Sequence, residues 1–358
     1  MPFTRVNGVR LFYERNGSGE PLLFITGFAI PAAVFDPILG DYAARFDCVT
    51  YDNRSSGRSS APLHPTSIAE MAADAAALLE RLGIESAHVY GLSMGGMIAQ
   101  ELALRFPERV RSLVLGCTTP GGPRAVRPTV RELLRLGGNM VRGVTKPGRP
   151  WLAPAVFSPE FRREEPARVL ELLEGFGAHR PTPWGANYHL LASIYHDTVA
   201  RLPEIQAPTL VMHGERDWMD PVANSLLMAE RIPDAELSIV PGAGHAYMLE
   251  APEESLARFT EWLDHKGPVG PGKPRTGVSA SLERLTRPLG LPIGAVRTGR
   301  SAATYAVDLL SGRRPRGIGD RRSSEAARLL MREDATARSS REPSRAGEAS
   351  ASASATAR

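Results

Sequence analysis

HVYGLSMGGMIAQ, residues 88–100, sets one serine among glycines where an apolar run gives way to a helical pattern. Residues 87–92 (AHVYGL) form a continuous apolar stretch of strand length, and 94–106 (MGGMIAQELALRF) has helical spacing. Ser93 therefore stands at a strand-to-helix turn. Small residues at 91, 95 and 96 let that turn be sharp and lift the hydroxyl clear of the backbone. The helix N-terminus that follows aims free N–H groups and a positive dipole end at the same spot. A serine flanked by glycines suits a tight turn as well as a nucleophile, so its surroundings must decide.

Outward from this stretch the chain alternates. VRLFYER (9–15) alternates in polarity, whereas PLLFIT (21–26) and the run beginning DCVTYD (47–52) are strand-like and more apolar. Alternation predicts a half-exposed strand, and continuous apolar runs predict strands covered on both faces. SIAEMAADAAALLERLG (67–83) places Ile68, Met71, Ala75, Leu78, Leu79 and Leu82 on one helical face, with Gly83 to end it. VRSLVLG (110–116) is the next strand. Strand, helix, strand, helix, strand is the signature of a mostly parallel sheet flanked by helices, an α/β class.

From about 118 to 200 the pattern changes to Pro, Gly and Arg with helical candidates at 167–176 and 184–202 and no strands between them. A helical insertion after the sixth strand is expected there. The α/β pattern resumes with a strand at 208–214, a helix at 221–231, a strand at 235–242 and a helix at 252–266. One domain over 1–265 is thus expected, with the insertion as its cap. Residues 266–358 turn to Arg, Ser and Ala, predicting a basic, largely disordered C-terminal tail with short helices at 279–312. No internal repeat is present.

The charge divides the same way. Residues 1–265 carry 25 Lys plus Arg against 31 Asp plus Glu, a net of −6, and the remaining 93 carry 18 against 8, a net of +10. The basic balance belongs to the tail, which could bind an anionic surface; a solvated extension is the preferred reading, and its scarcity of aromatics argues against nucleic acid. Two cysteines, Cys48 and Cys117, make no disulfide framework. With no signal-peptide core and no run approaching about 18 apolar residues, a cytoplasmic protein without a membrane span is expected.

A serine hydroxyl is a poor nucleophile at neutral pH and needs an imidazole to take its proton and a carboxylate to orient that imidazole. HGERDWMDP (213–221) follows an apolar strand and puts Asp217 beyond its C-terminal end, where open α/β sheets build their sites. Asp220, three residues on, is the competitor. PGAGHAYMLE (241–250) follows the next strand and sets His245 in a loop of small residues. The order Ser93, Asp217, His245 is one that this machinery uses. His189 and His196, seven residues apart, are expected on one face of an insertion helix; His64, His88, His179, His213 and His265 have no comparable setting.

FITGF (24–28), YDNRSSGRS (51–59), GLSMGG (91–96), GERDWMDP (214–221) and GAGH (242–245) together resemble the α/β-hydrolase superfamily, in the branch of small-molecule esterases, enol-lactone hydrolases and cofactor-free haloperoxidase-like enzymes. The resemblance covers residues 5–265. It implies Ser93 as nucleophile, Asp217 as acid, His245 as base, and the Phe28 and Met94 backbone N–H groups as the oxyanion hole. Two departures stand out. The family usually carries His-Gly where this chain has Thr26-Gly27, so that histidine's hydrogen bonds must be replaced, and a Gly more often stands at Ser55.

The resemblance predicts hydrolysis of a small, mostly apolar ester or lactone through an acyl-enzyme. Trp184, Tyr188 and His189 are candidate pocket residues in the cap. No metal-ligand cluster or phosphate-binding glycine loop is evident, so no cofactor or metal is expected. Two alternatives stay open: a non-catalytic binding protein on the same fold, and a carbon–carbon bond hydrolase, whose relatives often place Asn where this chain has Leu92.

Overall fold

The computed structural model describes residues 2–129, 131–132, 134, 152–177, 179, 183–267 and 269–273. The predicted helices at 279–312 and nearly all of the basic tail lie outside these residues. Eight strands form one sheet: β1 (Phe3–Val6), β2 (Val9–Gly17), β3 (Glu20–Ile25), β4 (Phe46–Tyr51), β5 (Ala87–Leu92), β6 (Val110–Gly116), β7 (Thr209–Gly214) and β8 (Ala235–Val240). Their order is β1-β2-β4-β3-β5-β6-β7-β8. β2 runs antiparallel to both neighbours, and every later pairing is parallel.

The helices are α1 (Asp36–Ala43), α2 (Ile68–Arg81), α3 (Met94–Arg105), α4 (Ala153–Val156), α5 (Pro159–Glu164), α6 (Pro166–Gly177), α7 (Pro183–Ile194), α8 (Val222–Arg231), α9 (Tyr247–Glu250) and α10 (Pro252–Lys266). α4 to α7 fall between β6 and β7, where the insertion was expected. α2 begins on a capping box, Ser67 Oγ accepting from the Glu70 N–H and the Glu70 carboxylate accepting from the Ser67 N–H. Such a cap contributes about 1 kcal/mol.

The period of two along each central strand sorts side chains into two cores. Leu23, Ile25, Val49, Val89 and Leu113 meet Met71, Ala75 and Leu78 of α2 and Ile98 and Leu102 of α3 on one face. Leu22, Phe24, Cys48, Tyr90 and Val114 meet Ile38 and Tyr42 of α1 and Phe259 and Trp262 of α10 on the other. Each fully buried Leu or Phe contributes roughly 1.5–3 kcal/mol relative to exposure, so the apolar runs have no alternative to a covered sheet. β8 is one of the two edge strands and is correspondingly half-exposed.

The chain departs from expectation in three places. β1 was not anticipated; it is four residues long and is joined to β2 by Asn7-Gly8, both at positive φ (44° and 80°), as a two-residue hairpin turn requires. α1 was likewise not anticipated. The helix expected over 184–202 ends at Ile194, so His189 and His196 do not share a helix face. The reason is tertiary. The Thr198 N–H donates to the Pro120 carbonyl, its hydroxyl to Gln100 Oε1 at 2.5 Å, and the Gly122 N–H to the His196 carbonyl, which draws this segment onto the chain leaving β6.

Candidate active site

Ser93 joins β5 to α3 with φ 56° and ψ −122°. A non-glycine residue there costs of order 1–3 kcal/mol and persists only where its neighbours over-determine it. They do: the Ser93 N–H donates to Gly116 O at 2.8 Å, and the Ser93 carbonyl accepts from Thr118 Oγ1 at 2.6 Å and from the Gly96 N–H at 2.8 Å. The first turn of α3 lies so close to β3 that a Cβ on Gly95 would stand 2.0 Å from the Ile25 carbonyl oxygen. A Cβ on Gly27 would stand 3.7 Å from Ser93 Oγ, so the loop after β3 approaches the serine hydroxyl directly.

Asp217 and His245 leave the same end of the sheet, after β7 and β8. His245 Nδ1 and Asp217 Oδ2 are 2.8 Å apart. Asp217 Oδ1 accepts from the N–H groups of Met219 (2.8 Å) and Asp220 (3.2 Å), so its carboxylate is fixed on both oxygens. With Nδ1–H donating to Asp217, Nε2 of His245 is the basic nitrogen. Burial disfavours the His245 charge, but the facing Asp217 carboxylate, with Asp220 behind it, overcomes that and raises its pKa to about 9. Burial likewise opposes the Asp217 charge, and His245 overcomes it, holding Asp217 below the usual carboxylate range.

Asp220, the competitor in sequence, contributes its backbone: its N–H to Asp217 and its carbonyl to His213. Burial first, and then the neighbouring Asp217 charge, push its carboxyl up to about 7.

Three supporting residues had no signal in the sequence. His213 lies in β7 with Nδ1 2.8 Å from Ser225 Oγ and Nε2 3.5 Å from Asp217 Oδ2. Glu250 accepts from the N–H groups of Gly244 (2.9 Å) and Ser158 (3.0 Å) and from Ser158 Oγ (2.7 Å), tying the His245 loop to α5 of the insertion. Trp218 Nε1 donates to the Pro154 carbonyl at 2.7 Å and ties the Asp217 loop to α4.

The loop after β3 answers the question that Thr26 raised. Thr26 is fully buried, and Asn53 Nδ2 donates to both its carbonyl and its hydroxyl at 3.1 Å. Asp52 Oδ1 accepts from the Ala32 N–H at 2.6 Å. His189 Nδ1 accepts from the Ala29 N–H at 3.1 Å. Among the described residues the Phe28 and Met94 N–H groups have no hydrogen-bond partner. Ser55 adopts φ 68°, the left-handed conformation that explains why a Gly suits its position.

Of the candidate pocket residues, Trp184 is 52% exposed, Tyr188 is half-buried, and His189 is fully buried. Both ring nitrogens of His189 are engaged by backbone, since Nδ1 takes the Ala29 N–H and Nε2 lies 2.7 Å from the Arg54 carbonyl. No ring nitrogen remains for a substrate.

Cys117, His213 and Asp217 bring three ligand-type atoms within 4.8 Å of one another. Each is engaged: Asp217 with His245, His213 with Ser225 and the Asp220 carbonyl, and Cys117 Sγ with the Gly214 N–H. Burial also raises the Cys117 thiol well above its usual pKa, which disfavours the thiolate a metal would need. This trio reads as the lining behind the Asp217 carboxylate. Both cysteines are buried and free, and no helix among the described residues is long and apolar enough to cross a membrane.

Comparison with known proteins shows the family of the chain. A protein of Azorhizobium caulinodans, described provisionally as a carbamate hydrolase, is 34% identical over 269 residues, covering 74% of this chain and all of its own. A Mycobacterium tuberculosis protein, provisionally a non-heme bromoperoxidase, is 31% identical over 252 residues, covering 68% of this chain and 94% of its own. Among solved structures, Est816, an N-acyl homoserine lactone degrading enzyme, superposes with a TM-score of 0.64 at 28% identity, covering 73% of this chain and all of its own. The model of the alpha/beta hydrolase fold family matches residues 20–252, from β3 through the loop that carries His245, and the chain belongs to that family.

Proposed function

We propose that this protein is a serine hydrolase that cleaves a small, mostly apolar carboxylic ester or lactone through an acyl-enzyme. The observation that carries the reading is the 2.8 Å His245–Asp217 contact, together with a serine held at φ 56° beyond the same end of the parallel strands. Asp217 fixes the tautomer that leaves Nε2 basic, and Ser93 sits where a helix N-terminus and the loop after β3 both offer N–H groups.

His245 Nε2 removes the Ser93 hydroxyl proton as Oγ attacks the substrate carbonyl. The Phe28 and Met94 N–H groups receive the charge that develops on the carbonyl oxygen. The tetrahedral species collapses, the C–O bond to the alcohol breaks, and His245 returns its proton to the departing oxygen. Water then repeats the sequence on the acyl-enzyme, releasing the acid and restoring Ser93. No cofactor takes part. The helices between β6 and β7 serve as a cap, and the partly buried apolar side chains of Phe28, Trp218 and Met219 in the site loops favour an apolar substrate. The only partner required is the small molecule.

The similarity to a protein described as a carbamate hydrolase favours a second substrate class, since a carbamate carbonyl undergoes the same addition and elimination. A panel of acyl-chain esters, lactones and carbamates ranks the three by kcat/KM. Replacement Ser93→Ala is expected to lower turnover of a short-chain p-nitrophenyl ester by at least about 10³-fold. Wild-type turnover in that variant would overturn the reading.

A further inference from the structure

We infer that His189 is a positioning residue for the oxyanion hole, holding from the insertion the loop that carries the Phe28 N–H. The inference rests on the serine-hydrolase reading above. His189 sits on α7 with its ring fully buried, and its partners lie 160 and 135 residues away in sequence. Nδ1 accepts the Ala29 N–H at 3.1 Å, and the ring stands edge-on to Phe28 with centroids 6.2 Å apart. Because the Ala29 group is a donor, Nδ1 is unprotonated and Nε2 carries the hydrogen that goes to the Arg54 carbonyl at 2.7 Å. Only the neutral Nε2–H tautomer makes both bonds, and burial lowers the His189 pKa in support of it.

The segment held this way needs holding. Ala29 adopts φ 55°, a left-handed conformation that L residues other than Asn and Asp rarely take unaided. The bond across this turn, from the Ile30 N–H to the Gly27 carbonyl, is long at 3.5 Å. Phe28 is thus bracketed: Asn53 pins Thr26 on one side, and His189 pins Ala29 on the other. Both anchors run to adjacent residues of the loop after β4. That loop is itself fixed, because Arg54 Nε and Nη2 grip Asp74 of α2 at 2.6 and 2.8 Å. The imidazole absent at position 26 is supplied from a different element.

The test uses the full chain and three variants. His189→Leu removes both bonds, His189→Asn keeps an acceptor at the δ position, and His189→Gln keeps only a group at ε reach. Active sites are counted by fluorophosphonate burst titration, so that misfolded protein does not lower kcat. In His189→Leu, kcat per titrated serine is expected to fall about 10- to 100-fold, because the donor is misplaced rather than deleted. KM should stay within about twofold, since the hole is engaged only as charge develops.

An alkylboronic acid, whose adduct with Ser93 is tetrahedral and anionic, should bind more weakly by the same factor as kcat. His189→Asn should recover kcat to within about fivefold of wild type, the scale of one imperfect hydrogen bond, and His189→Gln should not. Where His189→Leu does not fold, the Asn and Gln pair decides the matter. Equal rescue by Asn and Gln, or wild-type kcat per titrated site without the ring, would overturn the inference. A wild-type protein that neither titrates nor turns over would instead defeat the hydrolase reading, and the inference with it.

Discussion

The Arg54–Asp74 pair offers the sharpest test of how the site is anchored. The two side chains are 3% and 1% exposed, and Asp74 accepts from Arg54 Nε and Nη2 and from Asn7 Nδ2 at 2.9 Å. Burial pushes the Asp74 carboxyl above its usual pKa, and Arg54 only partly offsets it, which marks a pair that costs nearly as much to bury as it returns. Replacement Asp74→Leu strands a guanidinium that cannot lose its proton. Breaking a buried pair this way costs about 3–5 kcal/mol, and Glu70 Oε1, 3.3 Å from Arg54 Nη1, places the expectation near the lower end.

Arg54→Met should cost less, about 2 kcal/mol, because the stranded Asp74 can protonate. The double replacement should lie within about 1 kcal/mol of wild type, leaving two apolar side chains where two charges were. Urea unfolding followed by far-UV circular dichroism gives each value from the midpoint at constant m. Because the Arg54 carbonyl is untouched in the methionine variant, kcat of the double variant should remain close to wild type. Single replacements that cost under about 1 kcal/mol, or a double that costs their sum, would refute the buried-pair reasoning.

Other consequences follow from the same contacts. The raised His245 pKa places the acidic limb of kcat/KM above the ordinary histidine value of about 6.5 and toward about 9, because the neutral imidazole is the base. Asp217→Asn should move that limb back down and lower kcat by about 10²- to 10⁴-fold, and an unmoved limb would contradict the assignment of the acid. The same shift stabilises the fold fully below the unfolded histidine pKa of about 6.5, and this part is lost as pH rises through about 9. Thermal melts in that window should decline more in wild type than in Asp217→Asn. Gly95→Ala drives a methyl to 2.0 Å from the Ile25 oxygen and should destabilise by about 1–3 kcal/mol or more; an unchanged Tm would show that α3 can back away from β3.

Much of the architecture was legible because local and global signals agree. The runs 21–26, 47–52, 87–92 and 208–214 are strand-like and rich in apolar residues, and the strands they predict are covered on both faces. Ser93, Asp217 and His245 each follow a parallel strand, so their place beyond one end of the strands followed from connectivity. What was not legible depends on contacts distant in sequence. β1 is four residues with one buried side chain, too short to show a period. The end of α7 is set by Thr198 meeting Gln100 and Pro120, not by any stop signal in the sequence. Glu250 and His213 look unremarkable until loops and helices converge on them. The partners of His189, the backbone of Ala29 and Arg54, lie 160 and 135 residues away and leave no mark in its own stretch of sequence.

Under the proposed function, Ser93 is a nucleophile activated by His245 and Asp217. Exposing the folded full chain to a fluorophosphonate and mapping the adduct by peptide mass spectrometry tests it most directly. A single stoichiometric adduct on Ser93, lost in Ser93→Ala and slowed in Asp217→Asn, is the predicted result. Folded protein that stays unlabelled, or that carries the adduct on another residue, would contradict it.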